Sequence, residues 1–126
     1  MTYSEIHADA AGVSHFRDVE VSFAPGVFDD AERPLRRSGF KGGRAGFVSV
    51  PAGWDSGWHN SPGDGFAVLL KGEVEIEAGS GEVRRFLPGD VWRSTDMTGR
   101  GHISRAVSSE DALVLMVDFD ESAFQR

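Results

Sequence analysis

The chain has 126 residues, 40% hydrophobic and 26% charged, which is the balance of an ordinary globular domain; at that length a chain buries roughly two-thirds of its unfolded surface and can build its own core. It contains no cysteine, which excludes disulfides, thiolate metal sites and cysteine nucleophiles. A formal net charge of -7 opposes binding to nucleic acid or to an anionic membrane surface.

No apolar run approaches the ~20 residues that span a bilayer. Glu5, His7, Asp9 and Asp18 interrupt the stretch where a signal peptide would be apolar. A cytoplasmic protein of one domain, residues 1–126, is therefore expected. Sixteen glycines and five prolines cut the chain into short segments. Between the breaks hydrophobicity alternates with period two rather than with a period of about 3.6 residues.

The N-terminal residues around His7 are expected to be mobile. The first strand covers 16–23, with Val19, Val21 and Phe23 on one face, and His15 stands at its head as a surface residue. From 27 to 46 the chain turns from acidic (Asp29, Asp30, Glu32) to basic (Arg33, Arg36, Arg37, Lys41, Arg44), as a solvated loop does. Ala45 to Val50 is the next strand, and Trp58 to Ser61 a short one before the turn Pro62-Gly63-Asp64. Phe66 to Ala78 is the clearest strand. Phe66, Val68, Leu70, Val74, Ile76 and Ala78 share one parity, and Gly72 marks a bend. After the hairpin turn Gly79-Ser80-Gly81 come strands at Val83 to Leu87, Val91 to Ser94, His102 to Val107 and Ala112 to Phe119. The last is apolar enough to be covered on both faces. Glu121 to Gln125 could form one helical turn. So many short strands and turns describe an all-β sandwich or barrel, with no room for the crossover helices of a parallel sheet.

Three pieces in order carry a family resemblance. They are a His-bearing segment leading into Leu70-Lys71-Gly72-Glu73-Val74-Glu75, the turn Pro88-Gly89-Asp90-Val91, and Gly99-Arg100-Gly101-His102. Over Pro51 to Phe119 the chain resembles the cupin superfamily, in particular short single-domain bacterial cupins, with the core of the fold over about 45–119. The resemblance implies a small jelly-roll β-barrel of short antiparallel strands, usually a dimer, with its site inside the barrel. The 16–23 strand is an open edge that a second copy would cover, so a homodimer is expected, with strand exchange as one route. Aligned on Gly72, the first family motif places its histidines at His59 and Ser61 and its glutamate at Gly65. The second motif places its histidine at His102. Two of the four usual metal ligands are therefore kept.

His59 and Ser61 are two apart on one strand and share a face, as do His102 and Ser104. Inside the barrel that the resemblance implies, these four converge, with Trp92 and Phe47 as walls and Asp64 nearby. Trp54 and Trp58 would stand at the mouth. Three readings stay open. The histidine pair could hold a divalent metal ion, with Asp64, Asp55 or water in place of the missing ligand, as in a dioxygenase or isomerase. It could do acid–base chemistry without metal, as an isomerase, cyclase or dehydratase, with Asp64 or Asp96 orienting a ring. It could bind a small molecule and catalyse nothing. Because Ser61 and Gly65 replace ligands, the metal-free enzyme or binder is the first reading and the metal enzyme the alternative. Phosphate-loop, nucleophile-elbow and His-Glu-x-x-His motifs are absent from the sequence.

Overall fold

The computed structural model describes residues 1–27 and 34–119. Every regular element among them is a β-strand: β1 (Thr2–Ala8), β2 (Ser14–Glu20), β3 (Ala24–Val27), β4 (Pro34–Arg37), β5 (Gly42–Val50), β6 (Gly65–Lys71), β7 (Val74–Ala78), β8 (Val83–Phe86), β9 (Val91–Ser94), β10 (His102–Ala106) and β11 (Ala112–Phe119). No helix among the described residues is long and apolar enough to cross a membrane. A six-stranded sheet runs β2-β1-β9-β6-β11-β5, a three-stranded sheet runs β10-β7-β8, and β3-β4 is a separate hairpin. The fold is all-β, and no ladder among the described strands closes the sheets into a barrel.

The core lies between the two larger sheets. Ile6, Phe16, Leu69, Trp92 and Val114 come from the six-stranded sheet, and Val74, Ile76, Ala78, Phe86 and Ala106 from the three-stranded one. Ile76 is fully buried. Trimming one methylene there in Ile76→Val should cost about 0.5–1.5 kcal/mol, read as a lower urea midpoint with an unchanged slope.

The N-terminus is a strand rather than a mobile tail. β1 lies inside the six-stranded sheet, antiparallel to β2 and parallel to β9. Its polar-looking sequence hid this, because Glu5 is buried yet paired with Arg17 and Arg93. β2 is an edge strand, as expected for this region, but it ends at Glu20, and its inward residues are Ser14 and Phe16 rather than residues of the Val19 parity.

The long strand expected from Phe66 to Ala78 is two strands in different sheets. Gly72 is the corner, with φ +81° and the Cα of Ala112 only 2.9 Å from where a Cβ would stand. The corner resets the parity. Ala67 and Leu69 point inward on β6, and Val74, Ile76 and Ala78 on β7. Phe66 instead packs on the outer face, edge-on to Tyr3, Phe40 and Phe119 at 4.9, 5.1 and 5.1 Å. The charged stretch expected as a loop begins at the last residue of β3, Val27, and contains β4 and the start of β5. Its residues 28–33 and the helical turn expected at 121–125 lie outside the described residues.

Candidate functional site

A cavity of about 200 Å³ opens between the inner faces of the two sheets, and both His59 and His102 line it. His102 begins β10, and His59 lies in the connection from β5 to β6. Their backbones are joined twice. His59 N donates to His102 O at 3.0 Å, and His102 N donates to His59 O at 2.9 Å. Gly101 permits this approach: its φ is +76°, and a Cβ there would overlap the His59 carbonyl.

The two imidazole centroids are 4.5 Å apart, with planes tilted by 59°. Each ring is anchored through Nδ1. His102 Nδ1 lies 2.6 Å from Asp96 Oδ2, and His59 Nδ1 donates to the Gly57 carbonyl at 3.2 Å. Both partners are acceptors, so the proton sits on Nδ1 and Nε2 is left for a ligand. Asp96 is fully buried, and its Oδ1 has no hydrogen-bond partner among the described residues. A carboxylate so placed holds the ring's tautomer and orientation, and it offsets the charge the ring gains on taking a proton. The Asp96 loop is braced in turn. Ser61 N and Asn60 Nδ2 donate to the Asp96 carbonyl at 3.2 and 3.3 Å, and Asn60 Nδ2 also donates to Gly99 O at 3.0 Å.

Of the residues singled out from the sequence, His59, His102, Ser61, Ser104 and Trp92 all line this cavity. Ser61 Oγ donates to Gly63 O at 2.6 Å, and Trp92 is held against Phe86 with ring centroids 4.8 Å apart. Trp54 is at the cavity as well, while Trp58 stays outside it near Arg100. Phe47 does not reach the cavity and is 72% exposed. The β5 register puts Val48 opposite Val114 and Val50 opposite Ala112, so the even residues face inward.

Asp64 is turned away from the histidines. Arg93 Nε and Nη2 donate to its two oxygens at 2.7 and 2.5 Å. Those hydrogen bonds raise the Arg93 pKa above the ordinary guanidinium value. The ring-orienting carboxylate is thus Asp96 rather than Asp64. The roles of Gly101 and Asn60 had no signal in the sequence beyond their closeness to the histidines.

A metal requires more donors than this site brings together. Among the described residues no group of three or more His, Cys, Asp or Glu side chains is placed to hold a metal ion. Catalytic metal sites commonly use three protein ligands, and His59 and His102 supply two. The carboxylates considered for the third place are engaged elsewhere. Asp64 faces Arg93, and Asp55 accepts from Gly57 N at 2.8 Å and Arg105 Nε at 3.2 Å. The Gly57 N–H, followed by Arg105, holds the Asp55 carboxyl below its ordinary pKa. The donor set falls one protein ligand short.

A larger cavity, about 570 Å³, lies on the outer face of the six-stranded sheet against Tyr3, Phe40, Phe66 and Phe119. Its one guanidinium, Arg93, is committed to Asp64 and Glu5. Its carboxylate, Glu20, is paired with the N-terminal amine at 3.3 Å, and neither His59 nor His102 lines it, so the smaller cavity is the candidate site.

No family model matches the chain, and no curated protein does. Among solved structures, the cupin domain of Schizosaccharomyces pombe Cnp3 is similar to it at 15% identity and a TM-score of 0.51, over 97% of this chain and 90% of that one. A cupin domain from Bordetella pertussis is similar at 16% identity and a TM-score of 0.47, over 81% and 97%. A conserved protein of unknown function from Streptococcus pyogenes is similar at 25% identity and a TM-score of 0.45, over 60% of this chain. The chain spans only 62% of that relative's length. The strand arrangement and the likeness of nearly the whole chain to the Cnp3 domain lead to one conclusion: this protein has a cupin-type fold.

Proposed function

We propose that the chain binds a small molecule between His59 and His102 and moves a proton on it without a metal. The observation that carries this reading is the buried Asp96–His102 pair on the wall of the cavity. His102 Nε2 would take a proton from the carbon beside a carbonyl. The C–H electron pair becomes a C=C bond, and the carbonyl π pair moves to oxygen, which takes a proton from His59 in its imidazolium form. On the return His59 recovers that proton, the C=O bond re-forms, and His102 delivers its own to the same carbon or, where a second C=C bond conjugates with the enol, to the γ-carbon. Delivery to the γ-carbon is an isomerisation; if His102 instead protonates a β-hydroxyl, which leaves as water while the C=O bond re-forms, the reaction is a dehydration. Ser61 and Ser104 would hydrogen-bond the substrate.

The test is hydrogen–deuterium exchange beside the carbonyl, followed by NMR in heavy water over a panel of small cyclic ketones and enols. Exchange should appear with the unaltered protein and survive chelator treatment. His59→Ala and His102→Gln should each slow it about 10²–10⁴-fold. Turnover that persisted in both variants would sink the acid–base reading.

A specific observation favours a second reading. Both rings give Nδ1 to an oxygen acceptor, as metal-bound histidines do. A divalent ion held by His59, His102 and water would fit that feature. Elemental analysis of protein purified without tag or chelator separates the two. Near-stoichiometric metal, lost in His59→Ala/His102→Ala, would favour the metal enzyme.

The reading also takes the facing sheets as a jelly-roll arrangement, with the edge strand β2 as the contact between two copies in a homodimer. Gel filtration over a range of concentrations should return a dimer. A monomer throughout would remove that contact from the proposal.

A further inference from the structure

With His59 in its neutral form, the charged groups around the cavity are all matched. Arg105 is the one Lys or Arg among its lining residues. Its Nε, Nη2 and Nη1 face Asp55, Glu77 and Glu75 at 3.2, 3.0 and 3.8 Å. Asp118, at the opposite wall, is 3.8 Å from Arg44. A positive charge on His102 would be balanced by Asp96, 2.6 Å away. The rest of the wall is apolar (Val50, Trp54, Val74, Trp92, Val114) or hydroxyl-bearing (Ser94, Ser104). An ionic ligand would enter without a counter-charge of its own, and burial of an unpaired ion is strongly opposed. Size adds a second limit. A cavity of about 150 Å³ holds benzene, and this one is about 200 Å³.

We propose that the site selects an uncharged molecule of one ring's size that carries a hydroxyl or carbonyl oxygen. It would reject carboxylates, phosphates and amines of the same shape. This rests on the histidine cavity being the site, as proposed above. The oxygen sits between the two Nε2 atoms. The selectivity comes from Asp55, Glu75 and Glu77, which cancel the one guanidinium that could anchor an anion. These three carboxylates act on binding through Arg105 and touch no ligand.

The experiment uses four probes at neutral pH: phenol, benzoate, benzylamine and the two-ring 2-naphthol. Binding is followed through the imidazole NMR signals of His59 and His102. Phenol should shift both signals. Benzoate and benzylamine should bind about tenfold more weakly or less, because each buries a charge, and 2-naphthol should be excluded by size. In Asp55→Asn/Glu77→Gln, which leaves Arg105 facing only Glu75 at 3.8 Å, benzoate should gain about tenfold while phenol is unchanged. Benzoate or benzylamine binding as tightly as phenol at these rings would overturn the charge rule and leave the site standing. So would an unchanged benzoate affinity in the double variant. If phenol left both histidine signals unmoved, the inference and the site it rests on would fall together.

Discussion

Replacing His102 with Ala should destabilise the fold by about 3–5 kcal/mol, the range for removing one partner of a buried pair. The cause lies in what remains behind. Asp96 is fully buried, and its Oδ1 has no partner among the described residues even in the intact protein. His102 Nδ1 is the group that satisfies Oδ2, at 2.6 Å. Without the ring, both carboxylate oxygens face the interior unpaired. The lost imidazole also removes a wall of the cavity and the contact with the His59 ring at 4.5 Å. Urea unfolding measures the loss, and a second variant identifies its source. His102→Ala/Asp96→Ala removes the stranded carboxylate together with the ring. It should be more stable than His102→Ala alone, because replacing both partners avoids leaving one unsatisfied. If the double variant were the less stable of the two, the buried pair would not be the origin of the effect, and lost packing would be.

Much of the frame was legible because it depends on local rules. Period-two alternation marks β7, glycine pairs mark the hairpin that follows it, and the apolar run Leu113-Val114-Leu115-Met116-Val117 marks a strand inside a sheet. What was not legible depends on contacts far apart in sequence. β1 reads as polar because Glu5 is buried, and only the folded chain brings Arg17 and Arg93 to it. Phe47 and Val48 are adjacent apolar residues, so the sequence offers two opposite faces for β5; the register against β11 selects Val48. The parity of Phe66 followed from treating Gly72 as a bend within one strand, whereas it is a corner between two sheets.

The site divides in the same way. His59/Ser61 and His102/Ser104 were found from strand spacing and the family motifs, and the structure brings all four to one cavity, although the segment expected as a strand at 58–61 makes only an isolated bridge, His59 to His102. The choice between Asp64 and Asp96 was undecidable from sequence. Each lies in a turn a few residues from a histidine, and the difference is that Arg93 on β9 captures Asp64. That capture removes Asp64 from any role at the rings. It leaves the chemistry to Asp96 and His102, six residues apart on opposite sides of the Gly99-Arg100-Gly101 turn.

Gly101→Ala should take the site apart while changing no side chain that lines it. The positive φ of Gly101 strains any other residue, by about 1–2 kcal/mol. Steric overlap comes on top. The added Cβ would meet the carbonyl oxygen and carbon of His59 and, at 3.0 Å, the nitrogen of Asn60. All three are backbone atoms, so no side-chain rotation relieves the overlap. The His59 segment has to move, which breaks the reciprocal backbone bonds to His102 and draws the two rings apart. The same movement would disturb Asn60, whose side chain holds the Asp96 and Gly99 carbonyls. A total loss of about 2–5 kcal/mol is expected from strain and overpacking together. Gly89→Ala supplies the control. Gly89 has φ +95°, and a Cβ there would meet nothing within 4 Å, so that variant carries the strain alone. Urea unfolding should place Gly101→Ala clearly below Gly89→Ala, and the NMR contact between the His59 and His102 rings should vanish only in the former. Equal stability of the two variants, with the ring contact kept, would mean that the histidine bridge is looser than its geometry indicates and that the two imidazoles need no glycine to meet.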